Sequence, residues 1–385
     1  MHLARGDAAA LTRELVRIDS RNPSLVPGGP GEAKVARALR DVLVSWGFRA
    51  ELHEAVPGRP NVVARVGKAG ARSLMFNGHL DVVGIDGMSH AAWDAAESNG
   101  LIYGRGSCDM KAGVAAMCAA AARIADDIEG EVVIAAVADE EFESIGTRAL
   151  VESGVRADAA IVTEPTRLCI MPSHLGFVWL DVTTTGRAAH GSRWDLGVDA
   201  IRHAGLFLAE LDRFDGGELA TRSHRLLGRP SVHASLIEGG TGMSTYPETC
   251  TVRIERRTIP GESVEQVEAE IMSLLNTCAE RRPTFHGTVR TTFSQGPSDV
   301  SMNAPIVQAL DRAMRWVDEE VRVEGMTAWT DAALLNAAGI PAICFGPGDI
   351  SLAHAAEEYV PVAEIERATT VLARLAVDWC RGTES

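Results

Sequence analysis

Apolar positions along this chain fall into two styles. In residues 7–18 and 31–46 they recur at helical spacing, with Gly47 closing the second stretch and Pro23, Pro27 and Pro30 making a loop between them. Runs at 49–56, 61–66 and 73–78 read as strands, and an alanine-rich helix is predicted over about 112–125. The continuous apolar runs 131–138 and 159–163 read as buried strands, whereas 84–103 has no clear periodicity and reads as a loop. Helix 304–317, the runs 321–327 and 340–345, and helix 363–380 return to the same alternation, which predicts an α/β sheet.

Between these parts the pattern changes. Phe177–Thr185 alternates as a strand, followed by helix 197–213, strands 231–237 and 249–258, helix 263–280 and strand 284–293. That order, β-α-β-β-α-β, is the ferredoxin-like unit. The prediction is an α/β domain formed by 1–175 with 292–385, carrying an inserted α+β domain at 176–291. A length of 385 residues, too long for one ordinary core, agrees with two domains.

Composition narrows the partners. The net charge is −15 with scattered basic residues, so no nucleic-acid or membrane partner is expected, since either calls for a basic patch. Seven cysteines, odd in number and without a CxxC pair, sit mostly in apolar runs and fit free thiols in a reducing compartment. Residues 1–20 lack the apolar segment of a signal peptide and no stretch approaches a membrane span, so a cytoplasmic protein is expected.

Candidate chemistry sits at the ends of the apolar runs. The run 73–78 leads into His79 and Asp81, two residues apart and so on one face of an extended chain. Imidazole is a common zinc ligand, and a ligating histidine usually gives its second ring nitrogen to a carboxylate that fixes its tautomer and angle. Asp109, the Glu140-Glu141 doublet, Glu164 and His354 each follow another apolar run. His79, Asp109, Glu141, Glu164 and His354 make five ligands, which suit two divalent ions with a shared carboxylate better than one tetrahedral structural zinc. Two dications against three carboxylates leave net positive charge to acidify a water. One acid of the doublet would bind metal while its neighbour takes the proton. Singly, each residue has a plainer reading: a solvated acidic loop, a turn-forming aspartate, a strand exit before Pro165. Cys108 with Lys111 has no neighbouring histidine base to make it a nucleophile.

The elements GHLDVV, GRGSCDMKAG, ADEE, VTEP and GPGDISLAH, in this order, resemble the co-catalytic zinc metallopeptidase and deacylase family. That family includes acetylornithine deacetylase, succinyl-diaminopimelate desuccinylase, aminoacylase and glutamate carboxypeptidases. The likeness runs from Ser20-Arg21-Asn22-Pro23 to the C-terminal helix. It implies a zinc-peptidase-like catalytic domain with a lid, and two divalent ions, zinc before cobalt or manganese. His79 and Glu164 would hold one, Glu141 and His354 the other, and the Asp109 carboxylate would bridge them, with a cis peptide from Asp109 to Met110. Asp81 would orient His79, and Glu140 would be the base. In the insert, Gly186–Ser192 looks like the lid motif whose histidine, here His190, meets the oxygen of the tetrahedral intermediate. Arg257 matches the arginine that binds a substrate carboxylate, although Glu255 two residues earlier could simply pair with it. Ser244 stands where many members have a substrate-binding asparagine. Trp194 replaces a common proline, and Thr330-Asp331-Ala332-Ala333 ends in alanine where some branches have arginine. The resemblance implies hydrolysis of an N-acyl amino acid or small peptide-like substrate by a homodimer joined through the lid. A carboxypeptidase or dipeptidase is the alternative, and a binding protein that lost catalysis the more distant one.

Overall fold

The computed structural model describes residues 3–382, and the chain forms two compact units. The first takes the described residues up to Pro172, then Val300–Glu324 and the chain from Thr330 onward; the second is Ser173–Asp299 with Gly325–Trp329.

A mixed sheet organises the first unit. Its strands lie in the order Arg49–Val56, Arg59–Gly67, Glu131–Val137, Ser73–His79, Ala159–Val162, Ala342–Cys344, with Ile170–His174 beyond. The four from Glu131–Val137 to Ala342–Cys344 run parallel. Glu131–Val137 and Ala159–Val162 are buried at every position, as strands covered on both faces must be. Leu74, Phe76, Val132 and Ile134 join one core with the helices Ala112–Ile124 and Val362–Arg381. The side-chain alternation of a strand gives Met75, Asn77 and His79 to the opposite face.

Helix Ala112–Ile124 is buried along its length except at Arg123, and small side chains let it lie close to the sheet. Closest of all is Gly113, where a Cβ would stand 1.9 Å from the Thr163 carbonyl oxygen. Only glycine lets that helix start press against the strand end that leads to Glu164. Part of the expected loop over 84–103 is instead a small sheet, Glu97–Ser98 and Leu101–Tyr103 with Tyr359–Pro361. Helices Ile145–Glu152 and Ala332–Ala337 also lie outside the periodicities read from the sequence.

The second unit has four antiparallel strands in the order Ser231–Gly239, Thr249–Thr258, Gly176–Thr185, His286–Gln295. Helices Ala200–Gly216 and Val264–Arg281 start on side-chain caps from Asp199 and Ser263. They bury Phe207, Val267, Ile271 and Leu275 against Val178, Leu180, Val182, Val252 and Ile254. The other face of this sheet carries Phe177, Trp179 and Phe293 in mutual ring contact. The fold is thus α/β with a ferredoxin-like insert. Among the described residues no helix is long and apolar enough to cross a membrane.

Candidate metal centre

The four parallel strands end on one side of the sheet, where open α/β sheets place their ligands. His79 ends its own strand, Asp139-Glu140-Glu141 follow Glu131–Val137, Glu164 follows Ala159–Val162, and the loop to His354 follows Ala342–Cys344. Asp109 arrives from the turn Ser107–Lys111 that starts helix Ala112–Ile124, and its bond to Met110 is cis. Left-handed backbone at Asp139 and His354 turns the chain sharply at both places.

Asp109 lies between two histidines. Its Oδ1 is 3.1 Å from His79 Nε2, and its Oδ2 is 3.5 Å from His354 Nε2. His354 Nε2 also stands 2.9 Å from Glu141 Oε2. His79, Asp109 and Glu141 each offer an atom within 4.8 Å of the others, as do His79, Glu140 and Glu164. Glu140 Oε2 is 3.9 Å from His79 Nε2, beyond hydrogen-bond length.

Asp81 differs from the expectation. His79 Nδ1 donates to the main-chain carbonyl of Asp81 at 2.9 Å, while the Asp81 carboxylate is 3.6 Å away. That carboxylate accepts from Asn22 Nδ2 at 2.8 Å and from the main-chain N–H groups of Glu140 and Glu141 at 3.1 and 3.2 Å. Asp81 therefore holds the ring by its backbone and the acidic doublet by its side chain. Asn22 also donates to Asp139 Oδ1 at 2.9 Å, and Arg59 reaches the same oxygen at 2.7 Å. Neither Asn22 nor Arg59 was singled out from the sequence; Asn22 lies where the family resemblance begins.

The electrostatics call for positive charge. Burial raises the Glu140, Glu141 and Glu164 carboxyls, and neighbouring acids add to it. Burial would raise Asp109 too, but its hydrogen bond to His79 and the charges of His79, His354 and Arg105 hold it below its ordinary value. Despite burial, the contact with Asp109 lifts His79 well above a normal imidazole. The hydrogen bond to Glu141 lifts His354 to about 9. Burial raises the nearby Asp331 to about 6, and it lowers Lys111 to about 7. Glu141 Oε1 and Glu164 Oε1 are buried without a hydrogen-bond partner. Partnerless buried carboxylate oxygens beside imidazoles are what a cation would satisfy.

The other sequence candidates belong to the second unit. His190 is exposed, and its Nδ1 lies 2.8 Å from the Ser192 hydroxyl and 3.3 Å from the Ser192 N–H, which turns that side of the ring toward its own loop. Gly191 N–H donates to the Ser244 carbonyl at 2.7 Å and Tyr246 N–H to that of Ala189 at 2.8 Å, so His190 and Ser244 lie on joined loops. Arg257 Nη2 donates to the Thr327 carbonyl at 3.2 Å, its Nε is 3.4 Å from Glu255, and it covers the Phe177 ring. Arg256, on the opposite face of the strand, is fully buried and pairs with Glu262 and Glu270.

An α/β sheet that gathers histidines and carboxylates at the ends of its parallel strands, with a ferredoxin-like insert, is the build of a metal-dependent hydrolase of amide bonds. The chain belongs to peptidase family M20/M25/M40, whose pattern it matches over residues 75–378. It is 33% identical over 353 residues to an acetylornithine deacetylase of Myxococcus xanthus, covering 88% of this chain and 90% of that one. It is 27% identical over 368 residues to N-formyl-4-amino-5-aminomethyl-2-methylpyrimidine deformylase of Bacillus subtilis, covering 87% and 86%. In fold it is similar to aminopeptidase PepT of Bacillus cereus, with a TM-score of 0.80 at 18% identity over 98% and 99% of the two chains. The same holds for the dinuclear metal binding peptidase YXEP of Bacillus subtilis, with a TM-score of 0.73 at 15% identity over 96% of each.

Proposed function

We propose that this hydrolase is a two-metal enzyme that removes an N-acyl group from an amino acid or a small peptide-like substrate, in the manner of acetylornithine deacetylase and succinyl-diaminopimelate desuccinylase. The observation that carries the reading is Asp109, with one oxygen toward His79 and the other toward His354. The donor set fits zinc, with cobalt or manganese as substitutes. His79 and Glu164 would hold one cation, Glu141 and His354 the other, and Asp109 both.

Cations held by these residues would supply Lewis-acid polarisation of the scissile carbonyl and a lowered pKa for the attacking water. Glu140 takes the proton from that water and hands it to the leaving nitrogen. His354 engages the Glu141 carboxylate at 2.9 Å, which supports Glu141 as the ligand of the doublet and leaves the proton to Glu140. Asp81 fixes the backbone of both acids. His190 donates from Nε2 to the oxygen that gains charge. Arg257 takes the substrate carboxylate in place of its partner Glu255, and Ser244 is a further substrate contact.

A homodimer through the second unit is part of this reading. Its edge strand Ser231–Gly239 exposes Leu236 and Ile237 by 57% and 55%, and bare apolar edges invite pairing. Seven unpaired, buried cysteines support a reducing, cytoplasmic setting.

The test is a hydrolysis screen of N-acetyl, N-succinyl and N-formyl amino acids beside dipeptides, with bound metal counted. Preference for dipeptides would favour a carboxypeptidase or dipeptidase. No hydrolysis with zinc supplied, and less than one tightly held cation per chain, would overturn the reading in favour of a binding protein.

A further inference from the structure

We propose that Glu358, together with Arg105, is a positioning residue that sets the backbone bearing Asp109 and so sets the affinity of the centre for its cations. The proposal rests on the two-metal reading above. Glu358 is 0% exposed and Arg105 3%. Glu358 Oε2 accepts from Arg105 Nη1 at 2.6 Å, and Oε1 accepts from the main-chain N–H groups of Cys108 and Asp109 at 3.0 and 3.1 Å. Arg105 is held in turn, its Nε donating to the Gly84 carbonyl at 2.9 Å. Main-chain contacts extend the grip: Gly104 N–H donates to the Glu358 carbonyl at 3.2 Å, and Tyr359–Pro361 pairs with Leu101–Tyr103.

Buried main-chain donors must be satisfied, and a carboxylate does so with charge-assisted bonds. Holding the N–H of Asp109 fixes where its Cα–Cβ bond points. Metal-site side chains work only when held to about 0.5 Å of their productive position. Asp109 faces two histidines at once, so a small rotation there would disturb both halves of the centre. Glu358 also follows His354 by four residues, so one carboxylate ties the His354 loop to the Asp109 turn. Its neighbour Glu357 is exposed and takes no part.

Zinc affinity is measured by chelator competition on metal-free protein whose fold is checked by circular dichroism, for the parent, Glu358→Ala, Glu358→Gln and Glu357→Ala. Glu358→Ala should raise the zinc Kd by about 10–100-fold, the usual effect of losing a group that orients a ligand. Glu358→Gln keeps an oxygen toward Cys108 and Asp109 but not the charge paired with Arg105, so it should raise the Kd less. Glu357→Ala should leave it unmoved. A residue serving stability alone would lower the Tm of the metal-free variants while the folded protein bound zinc as before, and that result overturns the proposal. Should Glu358→Ala not fold, Glu358→Gln decides: a rise of about threefold or more supports the clamp and a smaller one overturns it. A parent chain that takes up no zinc would instead sink the two-metal reading itself.

Discussion

The acidic doublet allows the sharpest test, because its two carboxylates are neighbours in sequence and differ in engagement. Glu141 Oε2 is 2.9 Å from His354, and its other oxygen is buried without a partner. Glu140 Oε2 is 3.9 Å from the nearest imidazole nitrogen, so Glu140→Gln removes a proton acceptor and leaves the His354–Glu141 and His79–Asp109 contacts in place. A general base contributes about 10²–10⁴ in rate, or roughly 3–5 kcal/mol of barrier. Turnover of Glu140→Gln should fall by that factor with both cations retained. Glu141→Gln should lose metal, since a neutral amide replaces the charge that faces His354. Steady-state rates beside metal counts by atomic spectroscopy separate the two. Turnover of Glu140→Gln within about tenfold of the parent would refute the assignment, and so would metal loss equal to that of Glu141→Gln.

Three further outcomes are expected. His190→Ala should lower the rate by ~10²–10³, as removal of one oxyanion donor does, at unchanged metal content; recovery of activity on mixing it with Glu140→Ala would show His190 acting across a dimer. Leu236→Asp should give a monomer by light scattering if the exposed edge strand joins two copies, and a parent already monomeric at working concentration would dispose of that dimer. In metal-free protein His354 is raised to about 9, and His79, Glu140, Glu141 and Glu164 are raised as well. Each of these holds its proton more tightly folded than unfolded, so its stabilisation is complete below the unfolded value and is lost as pH rises through the folded one. Lys111, lowered to about 7 by burial, works the other way above that pH, but it is one group against the two histidines. Chelated protein should therefore still lose Tm between about pH 6.5 and 9, and zinc should flatten that slope; a chelated Tm that rises over this window would contradict it.

The parallel strands were legible because burial on both faces writes itself as unbroken apolar runs such as Glu131–Val137, with acids where the run stops. The place of His354 after an apolar run made it a candidate, but only the family pattern paired it with Glu141, which lies 213 residues away. Glu358 was invisible for a related reason. Beside Glu357 it reads as a solvated acidic pair, and the guanidinium that buries it is 253 residues distant. The small sheet holding Arg105 and Glu358 together has strands of two or three residues, too short to show a period. Asp81 illustrates a different limit: spacing placed it beside His79, but not which of its oxygens would meet the ring. Alternation on the strand Thr249–Thr258 did separate Arg256 from Arg257, and the pairing of Arg257 with Glu255 is present as the plainer reading had it.

The ends of the four parallel strands carry a thermodynamic consequence. Their acids crowd together only when strands from distant parts of the chain have docked, so an unfolded chain offers cations no comparable site. Whatever binds the folded form alone shifts the folding equilibrium by RT ln(1 + [L]/Kd), about 4 kcal/mol at a thousandfold excess over Kd. Under the two-metal reading, the stability of the sheet would therefore rise and fall with the free cation that its strand ends bind. Starved of metal, the same chain would be a less stable protein with like charges pressed together at its centre, and its lifetime in the cell would follow the metal supply.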